Sequence, residues 1–388
     1  MSDTTCVLPW MHMATNSAGN LRVCCNSTPG KNLIYRNGSI PYNITDDDVL
    51  SFWDSETLVN LRHEFIEGKR PAMCARCFGE EALGIKSARQ AWNEKWPTDC
   101  TTTTPPLNIK YVDLRLGNLC NLKCRMCNPY ASSQWVDEWQ LIYPTTPTAE
   151  LSKLKKMQWI DNPIIWDNLA KLSDSIEEIY LTGGEPTLAI SQYKLFDKLI
   201  LSGHAKNITL KYNTNLTNIP RKMIEYWKHF KLIRVNASVD AVGNLNHYIR
   251  FPSDWNTIDK NLKIFNELGK LIALQIHVTV QAYNILYLDN LLEYLELSGY
   301  HNIYLNILDH PDYLNIRSLP EELKQHATKL LQQFSHIKKI DGVVTYMNSE
   351  HWFDTQWDNF CKYTAKLDTS RGQSLIEVAP IFKDFTHD

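Results

Sequence analysis

The sequence predicts an α/β fold in which a parallel sheet carries its helices outside and curls into a full or partial barrel. Two observations predict it. Strand-like apolar runs at 109–116, 176–181, 208–212, 232–239, 272–280 and 303–307 alternate with helical stretches such as 191–202, 221–230, 255–268 and 286–297. Repeated βα units of this kind require crossovers, and right-handed crossovers curl a parallel sheet toward a barrel. The second observation is length: 388 residues suit about two or three compact units rather than one.

The elements divide the chain into a small domain over 1–97, a linker over 98–106, the barrel over 107–316 and a helical extension over 317–388. In the first hundred residues, 16–20 read as a turn before a short apolar stretch at Leu21 and Val23. Asp46, Asp47 and Asp48 precede a helical pattern running from Leu50 through Phe52, Trp53, Leu58 and Leu61 to Phe65, and acidic residues suit a helix start. Phe52 and Trp53 are most simply core. The linker is polar and β-branched, ends in Pro105-Pro106 and has little to bury. The extension shows one clear helix over 321–334 and then a less regular segment.

Composition narrows the class. With 44% hydrophobic and 21% charged residues the chain can bury a sizeable core. A net charge of −3 with scattered Lys and Arg gives no footprint for nucleic acid. The N-terminus has neither a basic nor an apolar region of a signal peptide, and no apolar run approaches the ~20 residues of a membrane span. The expectation is a cytoplasmic protein with no nucleic-acid or membrane partner. Its ten cysteines then include metal ligands more readily than they form disulfides.

Cys120, Cys124 and Cys127 stand on one loop, close after the first barrel strand. Three thiolates can hold three irons of a cubane and leave the fourth iron open to an external ligand, whereas four cysteines close the cluster. Zinc is the alternative, but it wants a fourth ligand that this loop lacks. The C-x3-C-x2-C spacing resembles the radical S-adenosylmethionine (SAM) superfamily. Gly183, Gly184 and Glu185, behind the second strand, look like that family's GGE motif.

The resemblance implies a partial (β/α)6 barrel of the radical SAM type that cleaves SAM reductively to a 5′-deoxyadenosyl radical. It implies that Gly183, Gly184 and Glu185 meet the methionine amino group. Glycines let the backbone approach, and an ammonium needs acceptors. Ser238 and Arg250 would hold the carboxylate, as a guanidinium suits, and Met126 would stand where an aromatic residue more often meets adenine. The Thr214-Asn215 pair also matches relatives, with capping as its alternative.

Cys6, Cys24, Cys74 and Cys77 form a second group, spaced C-x17-C-x49-C-x2-C, with Cys25 surplus. Together with Pro9-Trp10 and Gly19 they resemble the twitch and SPASM auxiliary-cluster modules, placed here before the barrel. Four thiolates also suit zinc. The resemblance implies two 4Fe–4S clusters, a flavodoxin- or ferredoxin-like electron donor, and a peptide or protein side chain as substrate. The alternatives are two-electron oxidation of a small alcohol or amine, and a non-catalytic iron–sulfur or zinc protein. Cys100 and Cys361 read as packing residues, with a radical partner or a proton donor as the alternative, and His12 as a structural histidine.

Overall fold

A computed structural model describes residues 3–28, 30–82, 84, 86–155, 157 and 159–386. The chain opens with a hairpin of His12–Thr15 (β1) and Leu21–Arg22 (β2). Its turn is fixed by Asn16 Oδ1, which accepts from Ala18 N and Asn20 N, and by Gly19 at φ +80°. A second small hairpin pairs Tyr35–Arg36 (β3) with Ile40–Pro41 (β4). Six longer strands follow: Tyr111–Arg115 (β5), Glu178–Thr182 (β6), Thr209–Thr214 (β7), Leu232–Ser238 (β8), Ile272–Val280 (β9) and Ile303–Ile307 (β10).

All six strands expected from the sequence are present. The sheet has eight strands, in the order β10-β9-β8-β7-β6-β5-β1-β2. The first hairpin therefore extends the main sheet. β1 lies parallel to β5, with His12 opposite Tyr111 and Ala14 opposite Asp113, while β2 is antiparallel to β1. No helix among the described residues is long and apolar enough to cross a membrane.

The described residues form two compact units, which run across the sequence positions 98–106 and 316. The first holds Met1–Leu119, Met157–Tyr212 and Arg221–Ile233; the second holds Cys120–Lys156, Asn213–Pro220 and Arg234–Asp388.

In the first unit the two faces of the sheet differ sharply. Met13, Val112, Leu114, Ile179, Leu181 and Leu210 fill one face and are almost wholly buried. The register puts His12, Arg22, Tyr111, Asp113, Arg115, Glu178, Tyr180 and Lys211 on the other. The segment expected as a linker is exposed along much of its length, yet it is tied down. Trp10 Nε1 donates to Thr102 O at 2.7 Å, Trp53 Nε1 to Pro105 O at 2.7 Å, and the buried Arg62 to Thr103 O at 3.0 Å. Phe52 and Trp53 are core residues. The single helix expected through Leu50 and Phe65 is two elements. A 3-10 segment, Val49–Asp54, is followed by the helix Glu56–Ile66. Ser55 breaks the run because its hydroxyl caps the second element by accepting from Leu58 N.

In the second unit the helix Trp255–Glu267 buries Ile258, Leu262 and Phe265. The tail corrects the sequence expectation: after Glu321–Leu331 come two further helices, Ile340–Asn348 and Phe353–Arg371. The last of these is a 19-residue helix that buries Trp357, Phe360, Tyr363, Thr364 and Leu367 and stops at Gly372 in the left-handed conformation.

Candidate functional site

The loop over 120–127 is built before any ligand is considered. Lys123 N donates to Phe251 O at 2.7 Å and Arg125 N to Ile249 O at 2.8 Å, so alternate residues pair with 249–251 in the manner of a strand. Trp135 Nε1 donates to Cys124 O, and Tyr363 OH to Arg125 O. The Arg125 side chain has no exposed surface; it lies 3.5 Å from the centre of the Tyr248 ring and is paired with Asp368 at 2.5 Å. Next to it Arg371 pairs with Glu138 at 2.8 Å. The helix Phe353–Arg371, which the sequence reading missed, therefore supports the cysteine loop from behind.

On this frame Cys120 and Cys124 are buried, and Met126 and Cys127 pack against them. Cys127 hydrogen-bonds Cys124, which draws the Cys124 thiol below its ordinary pKa; the same bond, with burial and the charges of Cys124 and Cys120, pushes Cys127 well up. Cys120 Sγ accepts from Leu122 N at 3.4 Å and faces Asn215 Nδ2 at 3.9 Å. Amide donors to sulfur of this kind surround cluster ligands. Asn215 also donates to Asn121 Oδ1 at 3.0 Å, which places the Thr214-Asn215 pair at the loop.

Arg250 is buried and stands 2.8 Å from Asp240 Oδ2. Burial opposes its charge, but Asp240 and the Cys124 and Cys127 thiols outweigh burial and keep it cationic. Asp240 is itself held in place by Thr279 N and through its carbonyl by Asn284. Three thiols gathered on one loop that carries no fourth cysteine, beside a fixed cation, fit a cubane with one open iron. Ser238 ends β8 and is partly exposed.

The glycines lie in the first unit, where their lack of a side chain is required. Gly183 has φ +86°, and a Cβ there would meet Leu116 N at 2.7 Å. Gly184 has φ +53°, and a Cβ would collide with Leu119 O and lie 2.6 Å from Leu119 C. The turn thus presses on the backbone of residues 115–119. Glu185 N donates to Leu119 O, and its buried carboxylate accepts from Thr187 N and Thr187 Oγ1, capping the short helix Pro186–Leu188. Gly184→Ala should lower the midpoint of urea unfolding well beyond Gly203→Ala. Gly203 shares the positive φ at +78° but has open space where its Cβ would be. Equal shifts in the two variants would show that conformation alone, not the Leu119 contact, demands glycine.

The N-terminal cysteines also lie in the first unit. Thr5 O accepts from Arg89 Nη1 and Asn93 Nδ2, and Val7 N donates to Asn93 Oδ1, so the helix Ala88–Lys95 grips both flanks of Cys6. Thr28 N donates to Met73 O, joining the Cys24 loop to the residue before Cys74. Burial, together with the charges of Cys24, Cys74 and Cys77, raises the Cys6 thiol well above its ordinary pKa. Burial and Cys24 and Cys77 push Cys74 up to about 12. Hydrogen bonds and ion pairs through Ala88–Lys95, and the bond from Thr28 to Met73, thus link the segments that carry the four thiols. Backbone amides of Leu8, Asn26 and Arg89 face Cys6, Cys24 and Cys77 respectively. Four free thiolates would be costly here, whereas a bound metal centre deprotonates its thiols outright. Among the described residues no three His, Cys, Asp or Glu side chains converge around a single ion.

Cys25 faces elsewhere: burial raises it, and Asp113, Arg22 and Arg115 surround it. Cys100 donates to Thr98 O, and His12 stacks on Tyr111 with ring centres 4.7 Å apart. The sequence reading missed the charged face formed by Arg22, Asp113, Arg115 and Lys211. Its signal was available: Tyr111, Asp113 and Arg115 alternate with Val112 and Leu114, whereas a strand buried on both faces reads as apolar throughout.

Residues 114–295 match the family profile of the Radical SAM superfamily. GTP 3′,8-cyclase of Helicobacter pylori (strain J99 / ATCC 700824) is 24% identical over 237 residues, 61% of this chain and 65% of that protein. The GTP 3′,8-cyclase of Desulforamulus reducens (strain ATCC BAA-1160 / DSM 100696 / MI-1) is 25% identical over 162 residues, 40% of this chain and 44% of that protein. The chain thus spans less than two thirds of the length of these relatives. Among solved structures, Streptococcus suis SuiB bound to precursor peptide SuiA aligns at TM-score 0.37 and 15% identity, covering 75% of this chain and 63% of SuiB. Native anSMEcpe with bound AdoMet aligns at TM-score 0.42 and 15% identity, covering 67% of this chain and 65% of that chain.

Proposed function

We propose that the chain, whose residues 114–295 match the Radical SAM superfamily profile, cleaves SAM reductively and uses the 5′-deoxyadenosyl radical to take a hydrogen from a peptide or protein side chain. The observation that supports this reading is the loop over 120–127, where three thiols gather beside the charged Arg250. When bound, a 4Fe–4S cluster with one open iron supplies the electron that splits the S–C5′ bond of SAM.

The chain's own residues divide the remaining work. Cys120, Cys124 and Cys127 hold the cluster. Arg250, kept cationic by Asp240, meets the methionine carboxylate. The turn at Gly183 and Gly184 offers backbone carbonyls to the ammonium, while Glu185 keeps that turn in shape. Ser238 and Met126 serve the carboxylate and adenine ends. A flavodoxin- or ferredoxin-like protein delivers the electron. Cys6, Cys24, Cys74 and Cys77 hold a second 4Fe–4S cluster of the twitch type.

The test is anaerobic: reconstituted protein, SAM and dithionite, with 5′-deoxyadenosine measured. Formation of 5′-deoxyadenosine is the expected result. Iron-loaded protein that forms none, alone or with candidate peptides, would overturn the reading. The curated relatives act on GTP, so nucleotides are the first small molecules to set against peptides in the same assay. The second cluster has a separate test. Cys24→Ser should lose close to half of the bound iron and Cys25→Ser should keep all of it, if Cys24 is the ligand that its spacing favours and Cys25 faces Asp113 instead. Iron loss from Cys25→Ser instead would reassign the ligand.

A further inference from the structure

We propose that the polar face of the sheet in the first unit is an oxyanion-binding site, in which Arg22 and Arg115 hold a carboxylate or phosphate group and Asp113 accepts from a donor beside it. Arg22 is 5% exposed and Asp113 1%, yet the pair is not closed. Arg22 Nη2 stands 3.8 Å from Asp113 Oδ2, beyond hydrogen-bond reach. Both atoms lack a hydrogen-bond partner, and so do Arg22 Nε and the Nε2 of the neighbouring His12. Buried polar groups are almost always satisfied, and a buried ion pair repays its desolvation only when hydrogen bonds complete it. Here Arg22 has unpaired donors, while the acceptors beside it are Asp113, which the Cys25 thiol also reaches, and His12 Nε2, whose ring meets Val23 O through Nδ1.

The charge around the gap selects the ligand. Arg115 adds a second cation next to Asp113, and both act on its carboxyl group. Lys211 is a third, two strands away in register, and lies 4.7 Å from the Tyr180 ring centre. The other acid on this face, Glu178, is already paired with Lys95 at 2.5 Å. Two guanidiniums beside one buried acid leave an excess of positive charge that favours an anion, and a guanidinium is suited to carboxylate or phosphate geometry. Cys24, one of the four gathered thiols, lies two residues beyond Arg22, so the bound group would sit near the second cluster. Calling this ligand the substrate rests on the function proposed above; the binding site itself does not.

The test reads binding rather than turnover. Anaerobically reconstituted protein is titrated with inorganic phosphate and with acetate at constant ionic strength, by calorimetry. Saturable binding of either anion is expected. Preference for phosphate points to a phosphorylated ligand and preference for acetate to a carboxylate. Arg22→Gln and Arg115→Gln should each weaken it about tenfold or more, the loss expected for a charged hydrogen bond. Asp113→Asn, which removes the acid beside the two guanidiniums, should hold or tighten it, and Arg36→Gln, on a surface hairpin, should leave it unchanged. Iron content checks that each variant is folded and loaded, and Arg115→Gln carries the test if Arg22→Gln is not. No saturable binding by wild type, or binding indifferent to both arginines, overturns the proposal. Anion binding without 5′-deoxyadenosine formation would remove the proposed function and leave this site standing.

Discussion

A chain carrying Cys120→Ala, Cys124→Ala and Cys127→Ala together is expected to make no 5′-deoxyadenosine while remaining folded. The two halves of that expectation have different physical origins. Activity is lost because only thiolates hold the irons, and alanine offers none. The fold is kept because the loop's shape comes from its backbone and its buried arginine. Lys123 and Arg125 pair with 249–251, and Trp135 and Tyr363 bind the carbonyls of Cys124 and Arg125. None of these contacts uses a thiol. The variant should therefore unfold in urea within about 1 kcal/mol of the iron-free wild type, since each replacement removes one small side chain. Bound iron should fall by half, with the N-terminal group keeping its share. Residual 5′-deoxyadenosine from the triple variant would show that SAM cleavage does not occur at this loop.

The six long strands were legible because each is a short apolar or alternating run set between helical stretches. Their parallel order followed from the helices between them. The cysteine loop and the two glycines were legible because ligand chemistry and close backbone approach each tolerate few residue types. Three features were hidden for identifiable reasons. β1 is four residues long, and its partner Tyr111 lies about a hundred residues away, so no local pattern signals the pairing. The break at Ser55 was masked because apolar residues continue at helical spacing on both sides of it. In the helix Phe353–Arg371 the apolar stripe of Trp357, Phe360, Tyr363 and Leu367 does keep helical spacing. It is diluted by Asp354, Asp358, Asn359, Lys362 and Asp368, and the last of these is among the residues that matter most. The charged face of β5 is a different case. Its alternation was plain in the sequence, but only the register shows that Arg22 comes to stand opposite it.

Asp368→Ala is expected to cost about 3 kcal/mol of stability, the low end for breaking a buried ion pair by removing one partner. Arg125 has no exposed surface, and Asp368 is its anionic partner within ion-pair distance. Gln373 Oε1, at 3.1 Å from Arg125 Nη2, keeps the loss from being larger. Asp368 also accepts from Leu375 N at 2.8 Å, so Asp368→Asn should retain that cap and lose less. The pair need not be a net source of stability. Replacing both partners with apolar residues, as in Arg125→Met with Asp368→Leu, should recover most of the loss, because no charge is then left buried alone. What the double variant would not restore is the position of the loop. Arg125 lies between Cys124 and Met126, and its stacking on Tyr248 together with its pairing to Asp368 fixes the backbone that carries two of the three thiols. The double variant should thus match wild type in urea unfolding but release iron from the loop several-fold faster to a chelator. A double variant that held iron as wild type does would reduce the helix Phe353–Arg371 to a packing element. Loss of less than about 1 kcal/mol from Asp368→Ala would place the pair with ordinary surface ion pairs.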